Sequence, residues 1–266
     1  MTRRNREGLK WTFDQRAEHY DKARPPYPER IFDDLFALVN LRPNATVLEI
    51  GCGPGRASRV LAARGCRLTC LELGPRMADV ARRNLAQFPR VEVITSAFES
   101  WDSRDKRFDM VFAASSWHWL DPHTRFEKAA QVLDPRGVLV ILSGKHAFPE
   151  GFDPFFTEIG SCYEQLGEPR SAWPPPTPDQ VADNRADVER SGLFTLVLVK
   201  RYVWAVEYSA ESYIDELNTH SSHIAWPQWK RDKLSAEVRR IINRRPEGRI
   251  RKHYLSMLHV CRRSSS

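Results

Sequence analysis

Between residues 46 and 143, short apolar runs alternate with amphipathic stretches, and the alternation repeats. Segments 46–50, 67–72, 91–95, 109–113 and 137–143 carry the β-branched and apolar density of buried strands. Segments 56–64, 75–86 and 122–133 place apolar side chains at helical spacing between them. The pattern predicts right-handed βαβ units stacked into a parallel sheet, with only a short or poorly formed helix between 96 and 107. Upstream, a helix is predicted over Phe13 to Lys22 and ends at Pro25-Pro26, because the residue before a proline avoids the α region. Pro28 opens another helix, with Ile31, Phe32, Leu35, Phe36, Leu38 and Val39 facing a core. Residues 1–10 read as a frayed end.

Beyond Ser143 the rhythm changes. Residues 152–166 are amphipathic, and Trp173 to Pro178 form a stiff connector. A helix is predicted over 178–191 with Gly192 past its end, then a strand or hairpin over 194–208. Helix follows over 209–245, and a last strand over 254–262. The fold class expected is α/β, a doubly wound and mostly parallel seven-stranded sheet with a helical cap. Three segments are drawn: 1–40 as N-terminal helices, 41–145 as the α/β core, and 146–266 as cap helices plus the strands that complete the sheet.

Composition narrows the class. The 266 residues fit one elaborated α/β domain, and 41% apolar content is ample for a large core. The longest apolar run, Val138 to Leu142, is far short of the roughly 20 residues that cross a bilayer. The basic N-terminus is not followed by an apolar segment, so no secretory signal is read, and the expected location is cytoplasmic. Five scattered cysteines read as reduced thiols. Cys66 and Cys70 have no nearby His or Cys partner, so no metal site is expected. The net charge of +7 concentrates in a stripe from Lys230 to Lys252. Such a stripe can hold phosphates, or it can be the solvated side of a helix whose apolar side is Val238, Ile241 and Ile242.

The densest signal is Val47-Leu48-Glu49-Ile50-Gly51-Cys52-Gly53-Pro54-Gly55, running straight into a helical pattern closed by Gly65. Glycines let a backbone turn tightly and approach a ligand that a Cβ would block. A strand, glycine turn and helix in this order make a nucleotide-type cofactor site at the carboxyl end of a strand. The dinucleotide fingerprint needs its last glycine at position 56, which is Arg56, and Glu49 puts an acid inside the strand. The second strand ends at Glu72, where a carboxylate can accept both ribose hydroxyls. Alone, Glu72 also reads as an ordinary surface glutamate.

These residues resemble class I S-adenosylmethionine-dependent methyltransferases. Residues 47–55 are similar to the family's first motif, and Glu72-Leu73-Gly74-Pro75-Arg76-Met77 to the second. Ser96-Ala97-Phe98 stands at the third, with Ser96 in place of the usual acid. Phe108 to Ser115 resembles the fourth strand, and Gln131 to Leu139 the turn into the fifth, with Arg136 where glycine is more usual. Tyr20-Asp21-Lys22-Ala23-Arg24-Pro25-Pro26-Tyr27-Pro28 is similar to a segment of the small-molecule branch, relatives of trans-aconitate-type methyltransferases, that folds over the cofactor.

The resemblance implies S-adenosyl-L-methionine as cofactor, held by Tyr20, Arg24, Glu49, Gly51, Gly53, Gly55, Glu72, Leu73, Ala97, Phe98 and Ser115. Arg24 suits the cofactor's carboxylate; it equally reads as capping its own helix, with Tyr20 and Tyr27 packed in a core.

Methyl transfer from a sulfonium is an in-line displacement governed by alignment and exclusion of water. A base is required only where the nucleophile must lose a proton. His118, in Ser115-Ser116-Trp117-His118-Trp119-Leu120-Asp121, is the candidate, since an imidazole's ordinary pKa is near 6.5. It reads as base, as substrate-orienting group or as a structural residue under a helix begun by Asp121-Pro122. Trp117 or Trp119 would offer a ring face to the sulfonium. No Asn-Pro-Pro-Tyr or Asp-Pro-Pro-Tyr segment follows the fourth strand, which argues against methylation of nucleic-acid bases.

The expected partner is a small organic acceptor, with neither nucleic acid nor membrane, for a monomer or homodimer. O-methylation is favoured, with N- or C-methylation open. The competing readings are an RNA or protein methyltransferase using the basic stripe, and a non-catalytic cofactor-binding module. Trp173, Trp204, Trp226, Trp229, Tyr213 and the segment His220 to His223 are the aromatic and polar candidates for lining an acceptor site.

Overall fold

A computed structural model describes residues 11–168 and 173–264; the expectation for residues 1–10 lies outside the described residues. Helix α1 (Ala17–Ala23) and α2 (Glu29–Val39) precede β1 (Thr46–Ile50), α3 (Arg56–Ala63), β2 (Arg67–Glu72), α4 (Pro75–Leu85) and β3 (Val91–Thr95). β4 (Phe108–Ala114), a 3₁₀ turn at Trp117–Trp119, α5 (Arg125–Val132) and β5 (Leu133–Ala147) follow. Next come α6 (Phe155–Glu158), α7 (Gly160–Gln165), α8 (Arg185–Arg190) and β6 (Phe194–Ser209). The chain closes with α9 (Ala210–Leu217), α10 (Ser221–Ile224), α11 (Gln228–Asn243) and β7 (Arg249–Arg263).

The seven strands form one sheet in the order β3-β2-β1-β4-β5-β7-β6. β1 pairs in parallel with β2 and β4, β2 with β3, and β4 with β5. The sheet is therefore mostly parallel, with antiparallel pairing confined to one place. Parallel strands covered on both faces read as continuous apolar runs, and Val47, Leu48, Met110, Val111, Leu139 and Val140 are accordingly fully buried.

Several boundaries differ from the pattern reading. Helix α5 begins at Arg125 rather than 122, because the Asp121 carboxylate accepts the His123 N–H at 3.0 Å and holds a turn there. Helix α8 covers only Arg185–Arg190 of the predicted 178–191. There Asp183 takes the Arg185 N–H at 2.9 Å, as an acidic side chain competing with a helix does. The segment 96–107 forms no regular helix. β5 and β7 extend further than periodicity indicated, and β6 is one strand rather than a hairpin. At Gly137 a Cβ would lie 2.9 Å from the Phe108 carbonyl oxygen. That absence of a side chain allows the β4–β5 pairing to shift register between Phe108 and Met110.

By contacts the chain divides into two compact units. The first comprises residues 1–25, 145–181 and 203–255; the second comprises 26–144, 182–202 and 256–266. The core of the second unit centres on Leu48, Ile50, Val111, Phe126, Leu139 and Phe194. That of the first centres on Phe155, Ile159, Tyr213, Leu217, Val238 and Ile241. All five cysteines are buried free thiols. Among the described residues no helix is long and apolar enough to cross a membrane.

Candidate active site

In the second unit, β1 lies between β2 and β4 and strand order reverses there. In open α/β sheets the carboxyl ends at such a switch point border the ligand crevice. The turn leaving β1 holds Gly51, Gly53 and Gly55 at φ of +65°, +58° and +85°. A Cβ on Gly51 would lie 2.7 Å from the Ser116 Cβ, and one on Gly55 2.8 Å from the Leu85 Cδ1. Those two glycines are thus required by packing. A Cβ on Gly53 would meet no atom within 4 Å, so there the backbone faces open space. Gly53 is where a ligand can approach.

The turn is held rigidly. Cys52 N–H donates to Leu71 O at 3.0 Å, and the Asn84 amide donates to Pro54 O at 2.9 Å. Gly53 N–H donates to one oxygen of Glu72 at 2.9 Å, and Gly74 N–H to the other at 3.0 Å. A carboxylate offers about four lone-pair sites, so one group can serve both backbone donors. Glu49 is buried and accepts the Ser58 hydroxyl at 2.6 Å. Burial, helped by the nearby Glu72 charge, pushes its carboxyl up to about 8, so it is neutral at physiological pH.

Leu73 and Ala97 are half-buried beside the ends of β2 and β3, and Ser96 N–H donates to Glu72 O at 2.9 Å. Phe98 sits in the core at 3% exposure, with the Lys128 ammonium 5.5 Å from its ring centroid. Past β4, Ser115 takes φ +56° and its hydroxyl shares a 3.0 Å hydrogen bond with that of Tyr27. The Ser116 hydroxyl donates to Ile50 O, tying the ends of β1 and β4 together. His118 is exposed on the 3₁₀ turn, its ring 5.0 Å from that of Trp119. Trp117 is buried, edge-on to Phe126 at 5.0 Å, with the Arg125 guanidinium over its ring. Its face is therefore occupied within the core. Asn84 and Ser116 carried no signal in the sequence as functional residues; only the fold brings them to the turn.

Residues 48–141 match the family described as a methyltransferase domain. A trans-aconitate 2-methyltransferase of Deinococcus radiodurans is 30% identical over 185 residues, covering 66% of this chain and 67% of that protein. The chain is a class I S-adenosylmethionine-dependent methyltransferase. An uncharacterized methyltransferase of Mycobacterium tuberculosis is 26% identical over 245 residues, covering 91% and 90% of the two chains. A solved structure of a proposed type II methyltransferase from Anaeromyxobacter dehalogenans shares the fold. Its TM-score is 0.61 at 20% identity, over 90% of this chain and 97% of that one.

The methyltransferase's residues fit its cofactor, S-adenosylmethionine. The open side of Gly53 offers the close approach that an adenosyl group needs, and Glu72 beside it is a carboxylate of the kind that accepts a ribose diol. Among the described residues no cluster of three or more His, Cys, Asp or Glu is disposed to hold a metal.

Tyr20 and Arg24 belong to the methyltransferase's first unit. The Arg24 guanidinium lies 5.4 Å from the Tyr20 ring, 3.3 Å from His220 Nδ1 and 3.6 Å from Glu216 Oε1. Glu216, which sequence reasoning missed, is fully buried on α9 against the equally buried Lys252 of β7, at 2.8 Å and 2.9 Å. Glu216 stands beside Asp215 and Lys252 within the basic stripe, so nothing local marks either one as the buried member of its run. Burial pushes three imidazoles of this unit down: His146 to about 2, His223 to about 3 and His220 to about 4. Unfolded histidines take up protons near pH 6.5, so on acidification the unfolded chain binds protons first. Stability is therefore complete above about pH 6.5 and falls as pH drops from there towards 4. The expected result is an unfolding midpoint in denaturant that declines across this window, and declines less in His146→Phe. A flat midpoint from pH 7 to pH 5 would contradict it.

Proposed function

We propose that the methyltransferase delivers its methyl group to a small organic acceptor, with oxygen favoured as the receiving atom. The observation that carries this reading is the state of the basic stripe. On and near α11, Lys230 pairs with Glu168, Arg239 with Glu211, Arg240 with Glu237, Arg244 with Glu158 and Arg245 with Asp153. With five of its cations held by the chain's own carboxylates, the stripe has less charge left to release counterions from a nucleic-acid backbone. Likeness adds support, since one relative is named for trans-aconitate and another, from Enterobacter lignolyticus, is a malonyl-[acyl-carrier protein] O-methyltransferase.

Glu49, Gly51, Gly53, Gly55, Glu72, Leu73, Ala97 and Ser115 are the residues we assign to the cofactor, with Phe98 backing them from the core. Bound there, the cofactor supplies an electrophilic methyl on a sulfonium. His118 takes the proton of an acceptor hydroxyl, a role its exposure beyond β4 permits. Incubation with cofactor and a metabolite extract is expected to add one methylene mass to a small molecule and none to RNA. Methyl incorporation confined to RNA would overturn the reading. His118→Ala is expected to lower kcat at least about 100-fold at neutral pH, the usual scale for a general base. A loss of less than about tenfold would remove that role.

A further inference from the structure

Within the first unit, a cavity of about 290 Å³ lies among the start of α1, the end of α9 and the first half of α11. The volume is at the lower end of the range for small-molecule sites. Its lining is polar. Arg16 precedes α1, Asn218 follows α9, and Arg231, Asp232, Ser235 and Arg239 belong to α11. None of them is among the residues assigned to the cofactor.

The walls are tied together. His19 Nε2–H donates to Asp215 O at 2.9 Å, joining α1 to α9. Arg239 grips both oxygens of Glu211 on α9, at 2.7 Å and 2.8 Å, so its fork is filled. Arg231 is held differently. It donates to Ile224 O at 2.9 Å, to Trp226 O at 3.0 Å and to the Gln228 side chain, all neutral acceptors. A guanidinium carries five N–H donors, so Arg231 is fixed in place with donors to spare. The side chains of Arg16, Asn218 and Ser235 have no hydrogen bond or ion pair among the described residues. Asp232 accepts the Gln228 amide at 2.7 Å with one oxygen, and its second oxygen has no partner among the described residues.

A surface side chain without a protein partner is ordinary, because water serves it. Here such groups come from three separate segments and line one cavity. We propose that this cavity binds a small hydroxylated phosphate monoester. Guanidinium forks match phosphate oxygens, and a phosphoryl group presents three strong acceptor oxygens. A carboxylate presents two, in one plane. Donors supplied from three segments suit the group whose acceptors point in three directions. Asp232 discriminates further. Its second oxygen repels a bare anion and accepts a hydroxyl hydrogen, so an ester that carries a hydroxyl is preferred to inorganic phosphate. S-adenosylmethionine has no phosphate and leaves this donor set unserved.

Titration calorimetry on the full chain, at near-physiological ionic strength, tests the site with glycerol 3-phosphate and ribose 5-phosphate. Glycerate, ribose and inorganic phosphate are the comparison compounds. At least one ester is expected to bind about tenfold or more tightly than each of them. Arg16→Gln is expected to weaken that ester about tenfold or more, and Asp232→Asn to narrow its preference over inorganic phosphate. Saturating S-adenosylhomocysteine is expected to leave the titration unchanged. No binding of either ester up to millimolar concentration, or equal binding of ester and inorganic phosphate (an adventitious ion only), would overturn the proposal. So would an affinity untouched by Arg16→Gln, a preference untouched by Asp232→Asn, or competition from S-adenosylhomocysteine. Binding to vesicles containing phosphatidic acid, with none to the soluble esters, would assign the donors to a lipid surface and overturn it as well. If Arg16→Gln fails to fold, Ser235→Ala takes its place, and an ester affinity unchanged there has the same consequence.

Discussion

Glu72→Gln is expected to weaken S-adenosylmethionine binding about 100-fold or more. The carboxylate holds the glycine turn through Gly53 N–H at 2.9 Å and Gly74 N–H at 3.0 Å, and in the proposed site it is also the acceptor of the ribose diol. Glutamine has a single acceptor oxygen, and its amide hydrogens would confront a backbone N–H. At least two charge-assisted hydrogen bonds are lost, each worth about 1.5–3 kcal/mol. The sum of about 3 kcal/mol or more corresponds to about two decades in affinity. Titration calorimetry measures it directly, with circular dichroism establishing that the variant folds. A loss under about fivefold would show that Glu72 anchors the turn without touching the ligand.

Lys252→Met is the substitution expected to cost most in stability, about 3–5 kcal/mol. Glu216 would remain fully buried, with Arg24 at 3.6 Å as the cation left beside it among the described residues. The loss comes from stranding a charge more than from forfeiting the pair's own attraction, because a buried ion pair returns little beyond its desolvation cost. Replacing both members, as Glu216→Leu with Lys252→Met, is therefore expected to recover a large part of the loss. Denaturant unfolding of the two variants checks the pair. A single-variant loss below about 1 kcal/mol would mean that Glu216 regains water in the folded state. The same variant also bears on acid sensitivity. With Lys252 present, the charges of Lys252 and Arg24 hold the Glu216 carboxyl well below its ordinary range against the opposing effect of burial. That contribution is present above the ordinary carboxylate pKa and disappears as pH falls towards the folded value. It begins lower than the histidine loss and overlaps its acid end, since His146 and His223 are held to about 2 and 3, so comparison with His146→Phe is needed to tell the two apart.

The glycine turn and its carboxylate were legible because everything they need is local. Gly51, Gly53 and Gly55 must take positive φ between a strand and a helix, and only a narrow spacing of residue types satisfies that. The division of labour among them was not legible. Packing against Ser116 and Leu85 claims Gly51 and Gly55, and Gly53 alone faces open space. Those neighbours come from positions far along the chain. Phe98 and Trp117 illustrate the same limit in reverse. Both stand in segments that suggest ligand contact, yet one is packed in the core and the other is covered by Arg125. Apolar rings read alike in a sequence whether they line a site or fill a core.

The arginine-rich stripe shows where charge patterning fails. Its partners, Glu158, Asp153, Glu168 and Glu211, are scattered over the first unit, and helix α11 with the two arginines that follow it collects them only after folding. By itself, the order of residues determined the α/β architecture and the strand–glycine-turn–helix, because backbone periodicity and glycine conformation are short-range properties. The adenosyl-type cofactor followed from the resemblance that these residues and those around Glu72 carry. Tertiary structure alone decided which carboxylate meets which cation. It set Arg24 beside Glu216 and His220, the latter across 196 residues of chain, since electrostatic balance in a buried site is a sum over neighbours in space.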